Sequence, residues 1–135
     1  MENDPTGRDP NAPGAKLDAG KLRASLVLGD FANALTAVCA VGTFGAKKYS
    51  DHGWLSVPQA PGRYSDAMMR HWLAMQRGEE LDEQSGLTHL AHFAWNALAL
   101  LEMDELQRDA IGATNSISSK RPDALLPPAD HHDSV

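Results

Sequence analysis

The chain has 135 residues, of which 42% are hydrophobic, and it carries a formal net charge of −6. The length suits one domain, and the acidic balance argues against a non-specific nucleic-acid binder, which normally shows a basic surface. The single cysteine, Cys39, excludes an intramolecular disulfide. The polar N-terminus lacks the apolar segment of a signal peptide, and no apolar run is long enough to cross a bilayer, so we expect a cytoplasmic protein that does not associate with a membrane.

Composition divides the chain into three parts. Residues 1–15 are polar and contain prolines, which predicts a flexible arm. Residues 16–108 hold the periodic apolar pattern of a domain, and residues 109–135 lose it, which predicts a flexible tail. Lys16 and Lys21 stand beside glycines at the start of the domain. They belong either to a solvated loop or to an arm that binds phosphates.

A first helix is predicted over Leu26–Lys48, where apolar residues recur at three- and four-residue steps. Lys48, at its end, either complements the helix dipole or contacts a phosphate. Residues 50–62 have the glycine and proline content of a loop. Trp54 in this loop either fills the edge of a core or offers a stacking surface to a purine.

Two further helices, Arg63–Arg77 and Leu87–Gln107, are predicted on either side of a polar turn. The last helix is apolar on nearly all sides, which is typical of a helix buried in a bundle or at an oligomer interface. If the two helices pack antiparallel, we expect Asp66 and Arg70 to face His89 and His92, with Asn96 one turn further along. Such polar groups inside an apolar hairpin favour a bound metal with a phosphorylated ligand, although histidines satisfied within the core remain an alternative.

The turn itself is strongly acidic. Glu79 and Asp82 either keep a loop soluble or complete a divalent-metal site, and Ser85 is a candidate N-cap for the last helix. Carboxylates suit Mg²⁺ or Mn²⁺, and arginine and lysine suit phosphate oxygens. The pattern therefore indicates metal-assisted chemistry on a polyphosphate, without naming the reaction.

Three blocks of sequence resemble the phage-type dATP/dGTP diphosphohydrolase family, which is similar to the MazG-like, all-α nucleotide pyrophosphohydrolases. The blocks are KLDAGKLR, FGAKKYSDHGW and RYSDAMMRHWLAMQRGEELDEQSGLTHLAHFAWNALALLE. The resemblance implies an all-α bundle of three to four helices. It also implies cleavage of a purine deoxynucleoside triphosphate between its α and β phosphates. The chain looks like the dGTP enzyme of phages with 2-aminoadenine in their DNA, which supplies dGMP in the host cytoplasm.

MazG-like proteins usually bind Mg²⁺ through an ExxE pair on one helix and an ExxD pair on the next. Laid on this hairpin, those positions fall near Asp66 and Arg70 and near His89 and His92. Only Asp66 keeps an acid, so this chain binds its metal differently or recruits Glu79 or Asp82 from the turn, and histidine ligands favour Mn²⁺ over Mg²⁺. The resulting assignments are catalytic Asp66, Arg70, His89 and His92; metal-binding Asp66, Glu79, His89 and His92; and substrate-binding Lys16, Lys21, Lys48, Trp54, Arg63, Arg70 and Asn96.

Three hypotheses follow. The first is a homodimeric or homotetrameric pyrophosphohydrolase acting on dGTP, with GTP and dATP as further candidates, in which water activated by Mg²⁺ or Mn²⁺ attacks phosphorus. Oligomerisation is expected because a bundle of this size cannot cover every apolar face of the last helix. The second is a non-catalytic purine-nucleotide-binding or regulatory module. The third is a purely structural helical bundle.

Overall fold

A computed structural model describes residues 1–115 of the chain, and within them it contains four α-helices, one 3₁₀ turn and no β-strand. The all-α prediction is therefore confirmed for this part of the chain. Two compact units are present, residues 1–27 and residues 28–115. The helices are α1 (Ala24–Asp30), α2 (Ala32–Lys48), α3 (Ala60–Gln76) and α4 (His89–Asn115), with the 3₁₀ turn at Gly53–Ser56.

The first unit is built from turns that its own polar groups hold together. The Asp4 carboxylate accepts hydrogen bonds from the backbone N–H of Thr6 at 2.7 Å and of Lys16 at 2.9 Å. The Lys21 ammonium lies 3.3 Å from the carboxylate of Glu2. The predicted division into an arm over residues 1–15 and a domain from residue 16 stays a prediction.

The predicted first helix is two helices, because the chain leaves helical geometry at Phe31, whose φ and ψ are −106° and 24°. Gly29 and Asp30, both poor helix formers, directly precede this break. Among the described residues, no single helix is long and apolar enough to cross a membrane, and α1 and α2 meet that criterion only when taken together as a bent pair.

The hairpin of α3 and α4 is present, but the predicted contact face of α3 is wrong. The side carrying Asp66, Met69, Arg70 and Leu73 is exposed. The side that packs on α4 carries residues at three- and four-residue steps, most of them small: Ala60, Tyr64, Ala67, His71 and Ala74. Alanines let the two helix axes approach closely, whereas charged side chains on the neighbouring face keep their hydration.

Helix α4 differs from its prediction at both ends. It begins at His89, and the Thr88 hydroxyl oxygen accepts a hydrogen bond from Ala91 N–H at 3.1 Å, so Thr88 and not Ser85 caps the helix. At the other end α4 continues through Asn115, past the predicted end at Gln107. The rest of the predicted tail lies outside the described residues.

Large apolar side chains remain exposed on the sides of α3 and α4 that point away from their common contact. We call them the outer apolar faces: Met69, Trp72 and Leu73 on α3, and Leu90, Leu98 and Leu101 on α4. Leu90 keeps 62% of its surface accessible and Leu101 keeps 55%. The apolar all-round pattern of the last helix therefore does not reflect complete burial within this chain.

Candidate functional site

A cleft of about 1520 Å³ is lined by α2, α3, α4 and the two loops between them. Nine of the predicted site residues contribute to its lining. They are Lys48, Trp54, Arg63, Asp66, Arg70, Glu79, His89, His92 and Asn96. Lys16 and Lys21 lie instead in the unit formed by residues 1–27.

The loop between α3 and α4 folds back on itself. The backbone N–H of His89 donates to the Glu80 carbonyl at 2.9 Å, and that of Asp82 donates to the Leu87 carbonyl at 2.8 Å. Gly86 has a φ of 71°, a left-handed conformation that glycine adopts without steric penalty. This closure places the Asp82 side chain beside the first turns of α4.

Three histidines and Asp82 meet where α3 ends and α4 begins. The Nδ1 atoms of His71 and His89 are 2.8 Å apart, and the His71 ring stacks on the His92 ring with centroids 4.5 Å apart and an interplanar angle of 8°. His71, Asp82 and His89 each offer one ligand atom, and these atoms lie within 4.8 Å of one another. With Ser85, these residues form what we call the histidine end of the cleft.

His71 is not among the site residues predicted from the sequence, because the charged face of α3 was predicted to pack on α4. The available signal was its position between Ala67 and Ala74 at helical spacing, on a stripe of small residues that suits close helix packing.

At the histidine end, the pKa values of two imidazoles and of the carboxylate are lowered. Burial, followed by the neighbouring His92 and His89, lowers the pKa of His71 to about 4. Burial also lowers the pKa of His92. Burial acts to raise the pKa of Asp82, but hydrogen bonds from the Ser85 amide and hydroxyl outweigh it and lower that pKa. Unprotonated nitrogens beside an ionised carboxylate form a donor set that fits a divalent cation.

Ser85 lies between Asp82 and His92. Its backbone N–H donates to Asp82 Oδ2 at 2.8 Å, and its Oγ is 2.7 Å from His92 Nε2. The Oγ also accepts a hydrogen bond from Leu87 N–H at 3.1 Å. His92 Nε2 is 3.9 Å from Asp82 Oδ2, so Ser85 is its nearer polar neighbour.

The opposite part of the cleft lining is aromatic. Trp95 lies edge-on to both Trp54 and Tyr64, with ring centroids 5.7 Å away in each case. The Tyr64 hydroxyl donates to the Trp54 carbonyl at 3.0 Å, which ties the loop to α3. A Cβ at Gly42 of α2 would lie 3.2 Å from Trp95 Nε1. We call Trp54, Tyr64 and Trp95 the aromatic end of the cleft.

Among the remaining predicted residues, Asn96 is buried and the others are exposed. Asn96 is 5% exposed, and its Nδ2 donates to the His92 carbonyl at 2.8 Å. Lys48 donates to Gln84 Oε1 at 2.6 Å, and the Glu79 carboxylate pairs with Arg77 at 2.7 Å. Asp66, Arg63 and Arg70 are exposed in the cleft. The structure thus brings His89, His92 and Asn96 together in the interior, with Asp82 and not Asp66 as the neighbouring acid.

Comparison with known proteins gives the family. The model of the family described as "dATP/dGTP diphosphohydrolase, N-terminal" matches residues 11–111. The chain belongs to this family. The match includes both ends of the cleft as well as Lys16 and Lys21.

A relative from Salmonella phage PMBT28, named "dATP/dGTP diphosphohydrolase", is 33% identical over 81 residues. The aligned part is 60% of this chain and 26% of the relative, so the chain spans about a quarter of that protein's length. No solved structure matches the chain.

Proposed function

We propose that this chain is a metal-dependent nucleotide pyrophosphohydrolase that converts dGTP to dGMP and pyrophosphate. The observation that carries the proposal is a single cleft with a donor set for a divalent cation at one end and three aromatic rings at the other. The family description and the name of the relative support a purine deoxynucleotide as substrate. We further propose that the dGMP supplies 2-aminoadenine nucleotide synthesis in the cytoplasm of a phage-infected cell.

His71, Asp82 and His89 are the residues that would hold the cation. Two imidazoles and a carboxylate suit Mn²⁺ better than Mg²⁺, although both remain candidates. The cation would neutralise phosphate charge and make water a better nucleophile. In this proposal the predicted ligand His92 supports the site, and Asp66 and Glu79 face the cleft without belonging to the central donor set.

Basic side chains along the cleft would bind the triphosphate. Arg70 directly precedes His71 on α3, and Lys48 and Arg63 line the cleft from α2 and from the start of α3. Guanidinium groups hold phosphate oxygens in a fork, and lysine acts as a point charge. The reaction joins the oxygen of water to the α-phosphorus and breaks the α–β anhydride. Pyrophosphate leaves with the bridging oxygen, and one proton is released to solvent.

The aromatic end would receive the base. Trp95 follows His89 by six residues on α4, which is about 9 Å along the helix axis at 1.5 Å per residue. That separation leaves room for a sugar between phosphates at the histidine end and a base against Trp54 and Trp95. Because the Asn96 amide nitrogen is already bound to the His92 carbonyl, its oxygen is the group left to accept a hydrogen bond from a purine.

The outer apolar faces support an oligomer. Exposed leucine, methionine and tryptophan side chains on two neighbouring helices exceed what a stable monomer usually shows to water. We propose a homodimer or a homotetramer with no nucleic acid as partner. Light scattering on the purified chain tests this, and a monomer at micromolar concentration would contradict it.

The activity is tested by incubating the chain with dGTP and Mn²⁺ and separating the products by ion exchange. We expect dGMP and pyrophosphate in equal amounts, and no turnover after chelation. Parallel reactions with dATP and GTP rank the substrates. Release of inorganic phosphate alone, or no hydrolysis of any purine nucleotide with Mn²⁺ or Mg²⁺, would contradict the proposal.

A second candidate is a nucleotide-binding module without catalysis of its own. It is favoured by one observation, that Arg70, His89 and His92 stand near the positions where MazG-like proteins usually carry metal-binding acids. Binding of dGTP without hydrolysis, seen as a thermal shift that depends on both metal and nucleotide, would select this alternative. If neither metal nor nucleotide raises the melting temperature, a structural bundle is the remaining interpretation.

A further inference from the structure

We propose that Ser85 is a positioning residue that couples Asp82 of the loop to His71 of α3 through the ring of His92. The inference rests on the proposed metal site, because it concerns how two of its ligands are held. Ser85 itself touches neither cation nor substrate in this scheme.

The backbone of Ser85 makes the link to Asp82. The Ser85 amide donates a hydrogen bond to Asp82 Oδ2 at 2.8 Å. A donor on a carboxylate stabilises its ionised form and restricts its rotation. It leaves the carboxylate with free lone pairs that can bind a cation.

The side chain of Ser85 makes the link to His92. Its Oγ accepts a hydrogen bond from Leu87 N–H at 3.1 Å and lies 2.7 Å from His92 Nε2. Whichever of the two groups supplies the proton, this hydrogen bond occupies His92 Nε2, so that nitrogen is not available as a metal ligand while the bond stands.

The link from His92 to His71 is made by stacking. The two rings are nearly parallel at 8°, with centroids 4.5 Å apart, and Phe44 meets the His92 ring edge-on at 6.4 Å. His92 is only 8% exposed. A ring fixed by one hydrogen bond and two ring contacts holds the plane of His71, and hence the direction of its Nδ1 toward His89. Outer partners of this kind orient metal ligands.

The test compares Ser85→Ala with Ser85→Thr, which keeps a hydroxyl, and with the matched control Ser65→Ala. Ser65 also donates a local hydrogen bond, to the Pro61 carbonyl at 2.7 Å, but it lies outside the cleft lining. Mn²⁺ binding to each purified chain is titrated calorimetrically, well below its melting temperature. We expect Ser85→Ala to weaken Mn²⁺ binding roughly 10- to 100-fold, as outer-shell changes do. Ser85→Thr should restore most of the affinity, and Ser65→Ala should not change it.

A second measurement needs no metal. Long-range ¹⁵N–¹H spectra of the metal-free chains report which imidazole nitrogen of His92 carries the proton. We expect one tautomer of His92 to dominate in the parent chain and in Ser85→Thr, and a mixture of tautomers in Ser85→Ala, because only a hydroxyl at residue 85 can bond to Nε2.

The same mixture of His92 tautomers in the parent chain as in Ser85→Ala, or unchanged Mn²⁺ affinity in Ser85→Ala, would overturn the inference. If the parent chain binds no Mn²⁺ but the tautomer of His92 depends on Ser85, the proposed metal site fails while the link from Ser85 to His92 stands. The two failures are thus distinguishable.

Discussion

The histidine end and the aromatic end of the cleft are built on opposite principles. At the histidine end, the groups are polar, and a loop closed by hydrogen bonds brings Asp82 and Ser85 to His92. At the aromatic end, Trp54 and Trp95 are held mainly by the edges of neighbouring rings. Replacing one atom can abolish the chemistry of a polar end, whereas an aromatic end responds gradually through lost contact area.

The largest expected effect comes from Asp82→Asn, which keeps the shape of the side chain but removes its charge. Because a neutral amide is a poor ligand for a hard cation, we expect dGTP hydrolysis to fall at least about 100-fold. The control is Glu83→Gln, the exposed acid next in the chain, for which we expect nearly unchanged rates. Steady-state kinetics on both variants check this, and equal losses would show that general charge and not ligation is responsible.

Lowering the pH should destabilise the metal-free protein through the histidine end. His71 takes up a proton near pH 6.5 when unfolded but only near pH 4 when folded. Between these values the unfolded state binds more protons, so the free energy of unfolding falls as the pH falls, by about 2 kcal/mol between pH 7 and pH 5.

Urea unfolding at the two pH values, in the presence of a chelator, measures the difference. In His71→Gln, most of this fall in the free energy of unfolding between pH 7 and pH 5 should disappear. The rest is expected from His92, the remaining histidine whose pKa is lowered at this end. If the free energy of unfolding of His71→Gln falls with pH as much as that of the parent chain, His71 is not the source of the pH dependence.

At the aromatic end, Trp54→Ala should raise the KM for dGTP about 10-fold with little change in kcat, because stacking on a base contributes about 1–3 kcal/mol. Trp54→Phe keeps a ring face and should recover most of the loss. If Trp54→Ala lowers the melting temperature but leaves KM unchanged, Trp54 only fills the edge of the core.

The smallest expected effect tests how closely α2 approaches the aromatic end. A Cβ at Gly42 would meet Trp95 Nε1 at 3.2 Å, whereas a Cβ at Gly45, one turn later, would meet nothing within 4 Å. Gly45→Ala should stabilise the protein by about 1 kcal/mol through helix propensity. Gly42→Ala should lose that gain because the indole must move. Thermal melts of the two variants, compared as a pair, give the difference.

Helical periodicity predicted the helical class, the hairpin and the polar residues of α4, because buried histidines and an asparagine stand out in an apolar segment. It did not predict which side of α3 packs on α4. Asp66 and Arg70 fall on one side by spacing, but the cost of burying charge favoured the alanine stripe that contains His71. Sequence patterns place residues on faces and do not say which face meets a neighbour.

The contacts made by the loop between α3 and α4 could not be predicted from the sequence either. Its acids were recognised, with Asp82 among them, but Ser85 was interpreted as a helix cap. Its actual contacts, with Asp82 and His92, depend on the left-handed turn at Gly86. They also depend on hydrogen bonds from His89 N–H to the Glu80 carbonyl and from Asp82 N–H to the Leu87 carbonyl. Such contacts between a loop and a helix have no periodic signature. Family resemblance pointed to the substrate class more directly than to the residues.

The three donor groups belong to residues 71, 82 and 89, so an occupied site would cross-link the second-last turn of α3 to the first turn of α4 over a short segment. Bringing together the ends of so short a segment takes little chain entropy. Most of the ion's free energy of binding would then stabilise the loop between α3 and α4 against local unfolding. Slowed amide exchange in the loop of residues 78–88, with unaltered exchange in α2, would be the signature of a bound ion.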